Sequence, residues 1–260
     1  MTEQAALDAV IGALPSVQLG GLQSDAALFS RRERKYLVPV SVAASLVAAI
    51  SGDARALQIN DERSFRYQSV YFDTPAGQSY LASARRRRHA FKVRTRTYVN
   101  SGDCMLEVKL RGSRGRTTKS RFDYPANASG QLNGPAREFI EEVLGPGHES
   151  ALAPTLTTIY QRSTLLLPGD ARLTIDTGFS ATTPAGERIT LNEFAIIESK
   201  SRQAPTVADR TLWRMGFRPI KLSKFGTSLA AMDPTLPSNR WTRALKSAWV
   251  RRRVRASTSA

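Results

Sequence analysis

The sequence contains little of what several common protein classes require. Its 260 residues include a single cysteine, Cys104, so an intrachain disulfide is impossible and a cytoplasmic location is expected. The two histidines, His89 and His148, stand far apart and lack the spacing of a zinc site. Neither a P-loop string nor a protein-kinase signature occurs, which excludes the common nucleotide-binding architectures.

Long apolar runs are also missing. The longest, residues 38–50, is shorter than the roughly 20 residues of a membrane-spanning helix, and Pro39 and two serines interrupt it. The N-terminal segment carries Glu3 and Asp8 and no basic cluster, which argues against a secretory signal. No transmembrane helix is predicted. The hydrophobic fraction of 41% is nevertheless sufficient for an ordinary globular core.

Basic residues, by contrast, are in large excess. The chain has 38 Lys and Arg against 22 Asp and Glu, which gives a formal net charge of +16. A field of that sign implies an anionic partner. Three classes fit at this point: nucleic acid, an acidic membrane surface and a phosphorylated small molecule.

The pattern along the chain predicts an α+β fold that is mostly antiparallel β. Short runs of period-two alternation, separated by Gly, Pro, Asn and Asp clusters, are typical of hairpins. The predicted strands are residues 29–38, 68–72, 91–98, 104–111, 117–124, 157–166, 172–176 and 195–200. A short helix is predicted within residues 1–28, and further helices are predicted near 39–50, 135–144 and 207–215. The predicted division is a leader and linker (1–28), one domain (29–232) and a basic tail (233–260).

Strand after strand presents one basic face and one apolar face. The charged faces carry Lys92, Arg94 and Arg96; Glu107, Lys109 and Arg111; Lys119, Arg121 and Asp123; Arg172 and Asp176; and Glu198 and Lys200. A solvated face of an antiparallel sheet is the ordinary explanation for such alternation. Neighbouring strands this rich in Lys and Arg would repel one another unless an anion lay among them. A chain of phosphates fits, because Arg offers bidentate forks and Lys offers point charges.

Eight short strings add a family resemblance. They contain Arg31, Glu33, Lys35 and Tyr36; Tyr71 to Thr74; Arg94 and Arg96; Glu107 and Lys109; Tyr160 and Arg162; Arg172 and Asp176; Glu198 and Lys200; and Lys221, Ser223, Lys224 and Phe225. Their order and spacing over residues 29–232 resemble the catalytic domain of the vacuolar transporter chaperone (VTC) family of polyphosphate polymerases. That family belongs to the triphosphate tunnel metalloenzymes.

The resemblance implies a fold, an activity and a set of site residues. The expected fold is an eight-stranded antiparallel triphosphate-tunnel barrel, and the expected activity transfers the terminal phosphoryl group of ATP to inorganic polyphosphate. Glu198 is expected to hold a divalent metal, Mn²⁺ or Mg²⁺. The phosphates are assigned to Lys35, Arg94, Arg96, Lys109, Arg162, Arg172, Lys221 and Lys224. Nucleotide binding is assigned to Arg94, Arg96, Lys109, Lys119, Lys200 and Ser223.

Two departures from the family pattern bear on function. Tunnel hydrolases open with E-x-E-x-K, whereas here Arg31 replaces the first glutamate before Glu33 and Lys35. Losing a metal carboxylate and gaining a cation favours a polymerase over a hydrolase. The eukaryotic polymerases also carry an inositol-phosphate-sensing domain and membrane helices, and neither is predicted here. Coupling to transport would then need a partner protein at the inner face of the membrane.

Alternatives stay open at this stage. A metal-dependent triphosphatase on the same fold and a non-catalytic module that binds polyphosphate or nucleic acid both fit the charge. Specific nucleic-acid binding ranks lower, since aromatic residues do not interleave with the basic ones. The run Arg85 to Arg88 fits either a guide for polyphosphate or a solvated loop. The tail from Arg240 onward fits either a basic amphipathic helix or a segment without fixed structure.

Overall fold

The computed structural model describes residues 1–23, 32–112, 117–147, 151–202 and 204–247, and the backbone of Arg253–Val254. Helices α1–α8 span Glu3–Gly12, Leu19–Gln23, Val40–Ala49, Gln78–Ala84, Gly134–Leu144, Val207–Arg214, Lys224–Met232 and Thr242–Ser247. Strands β1–β12 span Ser16–Val17, Arg32–Pro39, Arg55–Leu57, Phe65–Asp73, Phe91–Tyr98, Cys104–Arg111, Thr117–Asp123, Ala153–Leu167, Ala171–Thr182, Arg188–Leu191, Phe194–Ser201 and Arg253–Val254. Two compact units result: unit 1 (Met1–Phe65, Tyr160–Phe179, Leu191–Leu222) and unit 2 (Arg66–Ile159, Ser180–Thr190, Ser223–Ala260).

Unit 1 contains an antiparallel ladder in which β11 lies between β2 and β9. Lys35 lies opposite Glu198, and Glu33 lies opposite Lys200. On the third strand, Arg172 lies opposite Lys200. Directly opposed residues project from the same face of a sheet, and so do residues two apart on one strand. The register therefore gathers these charged residues on one face.

The other face of this ladder supplies the core of unit 1. Helices α1, α3 and α6 pack against it through a cluster of buried residues: Leu7, Ile11, Leu14, Tyr36, Val38, Leu46, Val47, Leu173, Ile175, Ile197 and Leu212 among others. Helix α6 begins with a capping box, in which the Thr206 hydroxyl accepts from the Asp209 N–H and the Asp209 carboxylate accepts from the Thr206 N–H. The cap fixes where the chain leaves β11 and turns back over the core.

Helix α1 belongs to this core although it lies in the predicted leader. Leu7, Ile11 and Leu14 are all at least 95% buried. Arg63 donates from its Nη1 to the carbonyls of Ile11, Gly12 and Leu14 at 2.9, 2.8 and 2.6 Å. A guanidinium at these carbonyls satisfies acceptors that the helix itself leaves open and complements its dipole.

Unit 2 contains the antiparallel ladder β4–β5–β6–β7. Its apolar face and helix α5 bury Val70, Phe72, Phe91, Val93, Cys104, Leu106, Val108, Tyr124 and Ile140. Cys104 is a free, buried thiol, as expected for a core residue. Helix α5 begins at Asn133, whose side chain accepts from the Ala136 N–H at 3.0 Å.

Asp73 at the end of β4 anchors helix α4. Its buried carboxylate accepts from the backbone N–H groups of Thr74, Ser79 and Tyr80 at 2.8, 2.8 and 2.9 Å. Burial raises the pKa of Asp73, while these backbone hydrogen bonds oppose the shift. The aspartate in the string from Tyr71 to Thr74 therefore has a structural role in this fold.

The segment after α7 is also folded. Trp241 is 2% exposed and lies beside Tyr80, with ring centroids 5.5 Å apart, and helix α8 follows it. The indole contacts Gly226 of α7 so closely that an added Cβ would lie 2.4 Å from the ring. The part of the predicted tail around Trp241 is therefore packed and folded. It is neither an exposed amphipathic helix nor a segment without structure. Trp249 and Arg251 lie outside the described residues.

Replacing Gly226 with Ala is expected to destabilise the protein by roughly 1–3 kcal/mol, because the new methyl group must displace a buried indole ring. Gly134→Ala is the matched control, since Gly134 lies in the first turn of α5 with no atom within 4 Å of the added Cβ. We expect the control to be neutral or slightly stabilising. Chemical denaturation of both variants gives the comparison, and equal stabilities would contradict the close packing of Trp241.

The predicted fold class is confirmed: the described residues are mostly antiparallel β with flanking helices. β5 has the predicted bounds and so does β6, whereas β8 and β9 extend beyond theirs. α4 and α7 were not predicted. Among the described residues, no helix is both long and apolar enough to cross a membrane.

A barrel closed from eight strands was predicted, but the ladder within each unit ends in a strand that is paired on one side only. Among the described residues, β7 pairs with β6 alone in unit 2, and β2 pairs with β11 alone in unit 1. The edge strand β7 carries Lys119, Arg121 and Asp123 in alternation. Charged side chains on an edge strand disfavour further pairing, which accounts for the open edge.

Candidate functional site

In unit 2, the register places three lysines side by side. Lys92 of β5 lies opposite Lys109 of β6, and Lys109 lies opposite Lys119 of β7. Like charges directly opposite one another destabilise a sheet. This row of three ammonium groups is therefore unfavourable for the sheet by itself and is suited to hold an anion.

The next row contains the carboxylate of the cluster. Glu107 of β6 lies opposite Arg94 on one side and opposite Arg121 on the other. Arg94 donates to Glu107 Oε2 from Nε at 2.7 Å, and Lys119 donates to Oε1. The Arg96 and Arg121 guanidiniums lie 3.9 and 3.7 Å from the same carboxylate. One carboxylate thus contacts four cations.

Glu107 is 2% exposed, so its charge depends on these partners. Burial would raise its pKa, but Arg94, Arg96 and Lys119 outweigh burial and hold the pKa well below the ordinary 4.5. The group is a carboxylate throughout the physiological range. The cluster still keeps an excess of positive charge in a partly buried setting.

The two arginines that β5 contributes to this cluster have different surroundings. The Tyr71 hydroxyl accepts from Arg94 Nη1 at 3.0 Å, and the Arg94 guanidinium lies 5.6 Å from the Tyr71 ring centroid. Arg96 is 9% exposed, and its Nε–H is buried with no hydrogen-bond partner among the described residues. A buried donor without an acceptor is costly, so an anionic ligand that reached Arg96 would satisfy it.

Lys119 is the group of this cluster whose charge depends on pH near neutrality. Burial, followed by the Arg94 and Arg96 charges, lowers the pKa of Lys119 from 10.5 to about 7, although Glu107 opposes the shift. A bound phosphate would favour the ammonium form. Binding should therefore take up a proton above about pH 7 and weaken as the pH rises through that value.

We expect Lys119→Met to reduce this pH dependence. Between pH 6.5 and 8.5 the affinity of the wild-type protein for tripolyphosphate should fall more steeply, by up to roughly tenfold, than that of the variant. Titration calorimetry in two buffers of different ionisation heat measures the proton uptake directly. Lys246→Met, at an exposed lysine of α8, is the control. Identical proton uptake by wild type and Lys119→Met would rule out this role for Lys119.

The start of helix α7 borders the lysine row. The Ser223 hydroxyl caps α7 by accepting from the Gly226 N–H at 3.1 Å, and it accepts from Lys92 Nζ at 3.1 Å. Lys224 is the first residue of α7. A serine that caps a helix and contacts a lysine of β5 holds one end of the row in a fixed place.

In unit 1, Lys35 joins two carboxylates. Its Nζ lies 2.8 Å from Glu33 Oε1 and 3.3 Å from Glu198 Oε2, while Lys200 Nζ lies 2.5 Å from Glu198 Oε1. Burial would lower the pKa of Lys35, but Glu198 and Glu33 outweigh it and raise the pKa. Burial would likewise raise the pKa of Glu198, but Lys35 and Lys200 lower it well below its ordinary value. Both groups are charged at neutral pH.

These carboxylates decide whether a divalent metal fits. Among the described residues, no three His, Cys, Asp or Glu side chains group closely enough to hold an ion by themselves. Glu33 and Glu198 nevertheless meet at Lys35. Mg²⁺ is often bound through one or two carboxylates together with substrate phosphates and waters. The residues present fit an ion of that kind, which completes its coordination with a phosphate ligand, and Mn²⁺ uses the same donors.

Arg162 and Asp176 form a second ion pair in unit 1. The Asp176 carboxylate accepts from Arg162 Nε and Nη2 at 2.6 and 2.8 Å, and Asp176 is fully buried. Burial would lower the pKa of Arg162, but the Asp176 charge raises it well above its ordinary value. The bidentate geometry fixes the plane of the Arg162 guanidinium. Asp176 therefore orients a predicted phosphate-binding residue.

A network on the other face of the same strands holds them in place. The Tyr36 hydroxyl donates to Asp209 Oδ1 at 2.7 Å, and Ser199 Oγ donates to Asp209 Oδ2 at 3.0 Å. Tyr36 follows Lys35 on β2, and Ser199 lies between Glu198 and Lys200 on β11. This buried aspartate links α6 to both strands at the positions that carry the charged residues.

The structure places the predicted site residues in both units, and their roles stay predictions. Unit 1 contains Lys35, Arg162, Arg172, Glu198, Lys200 and Lys221; unit 2 contains Arg94, Arg96, Lys109, Lys119, Ser223 and Lys224. Lys221 is exposed and follows Ile220, whose N–H donates to the Lys35 carbonyl at 2.8 Å. Arg31 lies outside the described residues.

The structure places four further residues in these clusters. Tyr71, Lys92 and Arg121 had no individual predicted role, and for Glu33 a metal ligand and a partner of a nearby cation were both open. Glu33 contacts Lys35, Tyr71 contacts Arg94, Lys92 contacts Ser223, and Arg121 approaches Glu107. Lys92 and Arg121 were already on the predicted charged faces. For Glu33 and Tyr71 the available signal was their presence in the family strings.

The solved structures to which this chain is similar are distant in sequence. The Hippeastrum protein HpAC1, described as showing a dominant triphosphatase activity, is 16% identical, with coverage of 81% of this chain and 100% of its own and a TM-score of 0.48. A conserved hypothetical protein from Pyrococcus furiosus is 12% identical (72% and 88% covered, TM-score 0.39). The PH1012 protein from Pyrococcus horikoshii OT3 is 11% identical (73% and 92% covered, TM-score 0.41). No curated protein matches the chain.

The family comparison is more direct. The family model of the VTC domain matches residues 30–233, which include all the predicted site residues and most of the chain. The chain therefore belongs to the VTC domain family.

Proposed function

We propose that this chain is an ATP-dependent polyphosphate polymerase that transfers the terminal phosphoryl group of ATP to a phosphate or polyphosphate end. The bond from the terminal phosphorus to the bridging oxygen of ATP breaks. A new phosphorus–oxygen bond forms to an oxygen of the acceptor, and ADP leaves. Membership of the VTC domain family supports polyphosphate- or triphosphate-related chemistry of this class.

One observation carries the proposal: the row Lys92–Lys109–Lys119 lies beside the row Arg94–Glu107–Arg121. Across these two rows of three adjacent strands, five cations face one carboxylate. A chain of phosphates, with a charge on each unit, balances such a surface better than a single small anion does. Phosphoryl transfer needs alignment and neutralised oxygens more than it needs a protein nucleophile.

A divalent ion has a defined place in the proposal. Glu198, with Glu33 beside Lys35, supplies carboxylate oxygens to Mn²⁺ or Mg²⁺. When bound, such an ion would supply positive charge that stabilises the transferring phosphoryl group. The lysines at Glu198 then contact phosphate rather than the carboxylate alone.

The same two carboxylates favour a second candidate, a metal-dependent triphosphatase. Glu33 and Glu198 would hold a divalent ion, and an ion there would supply the Lewis acidity that triphosphate hydrolysis requires. The products separate the two functions, because hydrolysis releases orthophosphate and makes no polymer.

The test is incubation of the purified protein with ATP and Mn²⁺, with and without a short polyphosphate primer, followed by gel analysis and an ADP assay. A polymer ladder with matching ADP is expected. Lys109→Met should reduce it, whereas Lys246→Met, the same change at an exposed lysine, should not. Orthophosphate without polymer would establish the triphosphatase. Tight polyphosphate binding without turnover would leave a non-catalytic binding module.

A further inference from the structure

Unit 1 has a second cationic feature that uses none of the predicted site residues. Three arginines and a tryptophan line an open groove of about 570 Å³: Arg210, Trp213, Arg214 and Arg218. The arginines are exposed and the tryptophan is half-buried. They belong to helix α6 and the turn that follows it.

The arginines are spaced four residues apart, which places Arg210 and Arg214 as neighbours on one face of α6. Each is fixed by hydrogen bonds from one terminal nitrogen. Arg210 Nη1 donates to the Pro205 carbonyl at 2.7 Å, Arg214 Nη2 to the Thr211 hydroxyl at 3.1 Å, and Arg218 Nη1 to the Trp213 carbonyl at 2.7 Å. A guanidinium has five N–H donors, so several on each side chain remain for a ligand.

The aromatic wall of the groove is also fixed. Trp213 Nε1 donates to the Tyr36 hydroxyl at 3.0 Å, and that hydroxyl donates to Asp209 at 2.7 Å. Tyr36 and Asp209 are fully buried. The groove is thus bounded by a side chain that is anchored in the core of unit 1.

None of the three arginines forms an ion pair with a described residue. Cations are favourable at the C-terminal end of a helix, which explains Arg214 and Arg218 without any ligand. It does not explain Arg210, one turn earlier, or the convergence of all three on one groove. Three like charges at this spacing repel one another unless an anion lies between them.

We propose that this groove is a second anion-binding site and that it holds an oligophosphate segment of the substrate or product. The choice of oligophosphate as the ligand rests on the proposed function. Arginine forks suit successive phosphates, since each provides parallel N–H donors in a fixed plane. The site would hold a polyphosphate chain through residues other than those assigned to transfer.

The experiment measures tripolyphosphate binding by titration calorimetry at low salt. The groove variant is Arg210→Gln/Arg214→Gln/Arg218→Gln, and the control is Arg55→Gln/Arg66→Gln/Arg243→Gln, which removes the same charge from exposed positions. Wild type and control should show two classes of site. The groove variant should lose one class or bind it at least roughly tenfold more weakly. Circular dichroism confirms that each variant folds.

Equal binding by the groove variant and wild type would overturn the proposal, and so would an equal loss in the control. A larger effect of the groove variant on anionic vesicles or RNA than on tripolyphosphate would also overturn it. The assay with ATP and Mn²⁺ reports separately on the proposed function. Suppose that wild type makes no polymer but the groove variant still loses a tripolyphosphate site. The groove is then supported as an anion-binding site, and the polymerase assignment fails.

Discussion

Glu107→Gln should lower the stability of the protein by roughly 3–5 kcal/mol, because it removes the charge of a buried carboxylate from the buried Arg96 and from the partly exposed Arg94 and Lys119. Arg94 and Lys119 lose a charged acceptor, and the nearby Arg96 loses its counter-charge. For a chain of this size the loss corresponds to a fall in Tm of roughly 10 °C. Tripolyphosphate should raise the Tm of the variant more than that of wild type, since it restores negative charge to the cluster.

Asp123→Asn is the matched control for Glu107→Gln. Asp123 is an exposed carboxylate on the edge strand β7, so we expect a change in Tm close to zero. The effect of Glu107 should also depend on pH. Its folded pKa is lowered from the ordinary 4.5, so its stabilisation is present above that pH and is lost as the pH falls through the lower, folded value. Equal Tm values for Glu107→Gln and wild type at pH 7 would refute the stabilising role of Glu107.

Glu198→Gln should separate turnover from binding. We expect ATP turnover with Mn²⁺ to fall roughly 100-fold or more, since Glu198 is the proposed carboxylate ligand of the divalent ion. Affinity for tripolyphosphate without metal should stay the same or rise. The reason is that Glu198 competes with phosphate for Lys35 and Lys200, which lie 3.3 and 2.5 Å from its carboxylate. Steady-state kinetics and calorimetry on the same preparation measure the two effects.

Glu187→Gln, at an exposed glutamate directly before β10, is the control for Glu198→Gln. It should change neither turnover nor binding. A parallel loss of turnover and of metal-free tripolyphosphate binding in Glu198→Gln would point to misfolding of the ladder. Unchanged turnover would remove Glu198 from the proposed metal site.

The sequence predicted the elements whose pattern is regular. β5 and β6 were predicted with their bounds, because strict alternation continues to the turn residues on both sides. β9 was predicted to end at Asp176, but it continues to Thr182. Gly178 within it has φ of +57°, a conformation that interrupts alternation, so the pattern gave no sign of the extension. α7 was missed because it is only nine residues long and contains Gly226, Thr227 and Ser228, whose helix propensities are low.

The charged faces were predictable from sequence, but their partners were not. Alternation placed Arg94 and Glu107 on the charged face, yet which cation meets which carboxylate depends on the register between strands. That register sets Lys92, Lys109 and Lys119 opposite one another, and no local pattern encodes it. Asp209 had no predicted role. Its partner Tyr36 is 173 positions away in the chain, and its partner Ser199 is 10 positions away.

Helix α1 has a practical consequence for work on fragments of this chain. The VTC domain match begins at residue 30, whereas Leu7, Ile11 and Leu14 are buried in unit 1. A fragment that starts at residue 30 would expose the apolar surface that α1 covers and leave Arg63 without its three carbonyl acceptors. Such exposed surface promotes aggregation. Low solubility of that fragment would then result from the missing helix and would not show that the VTC domain itself is unstable.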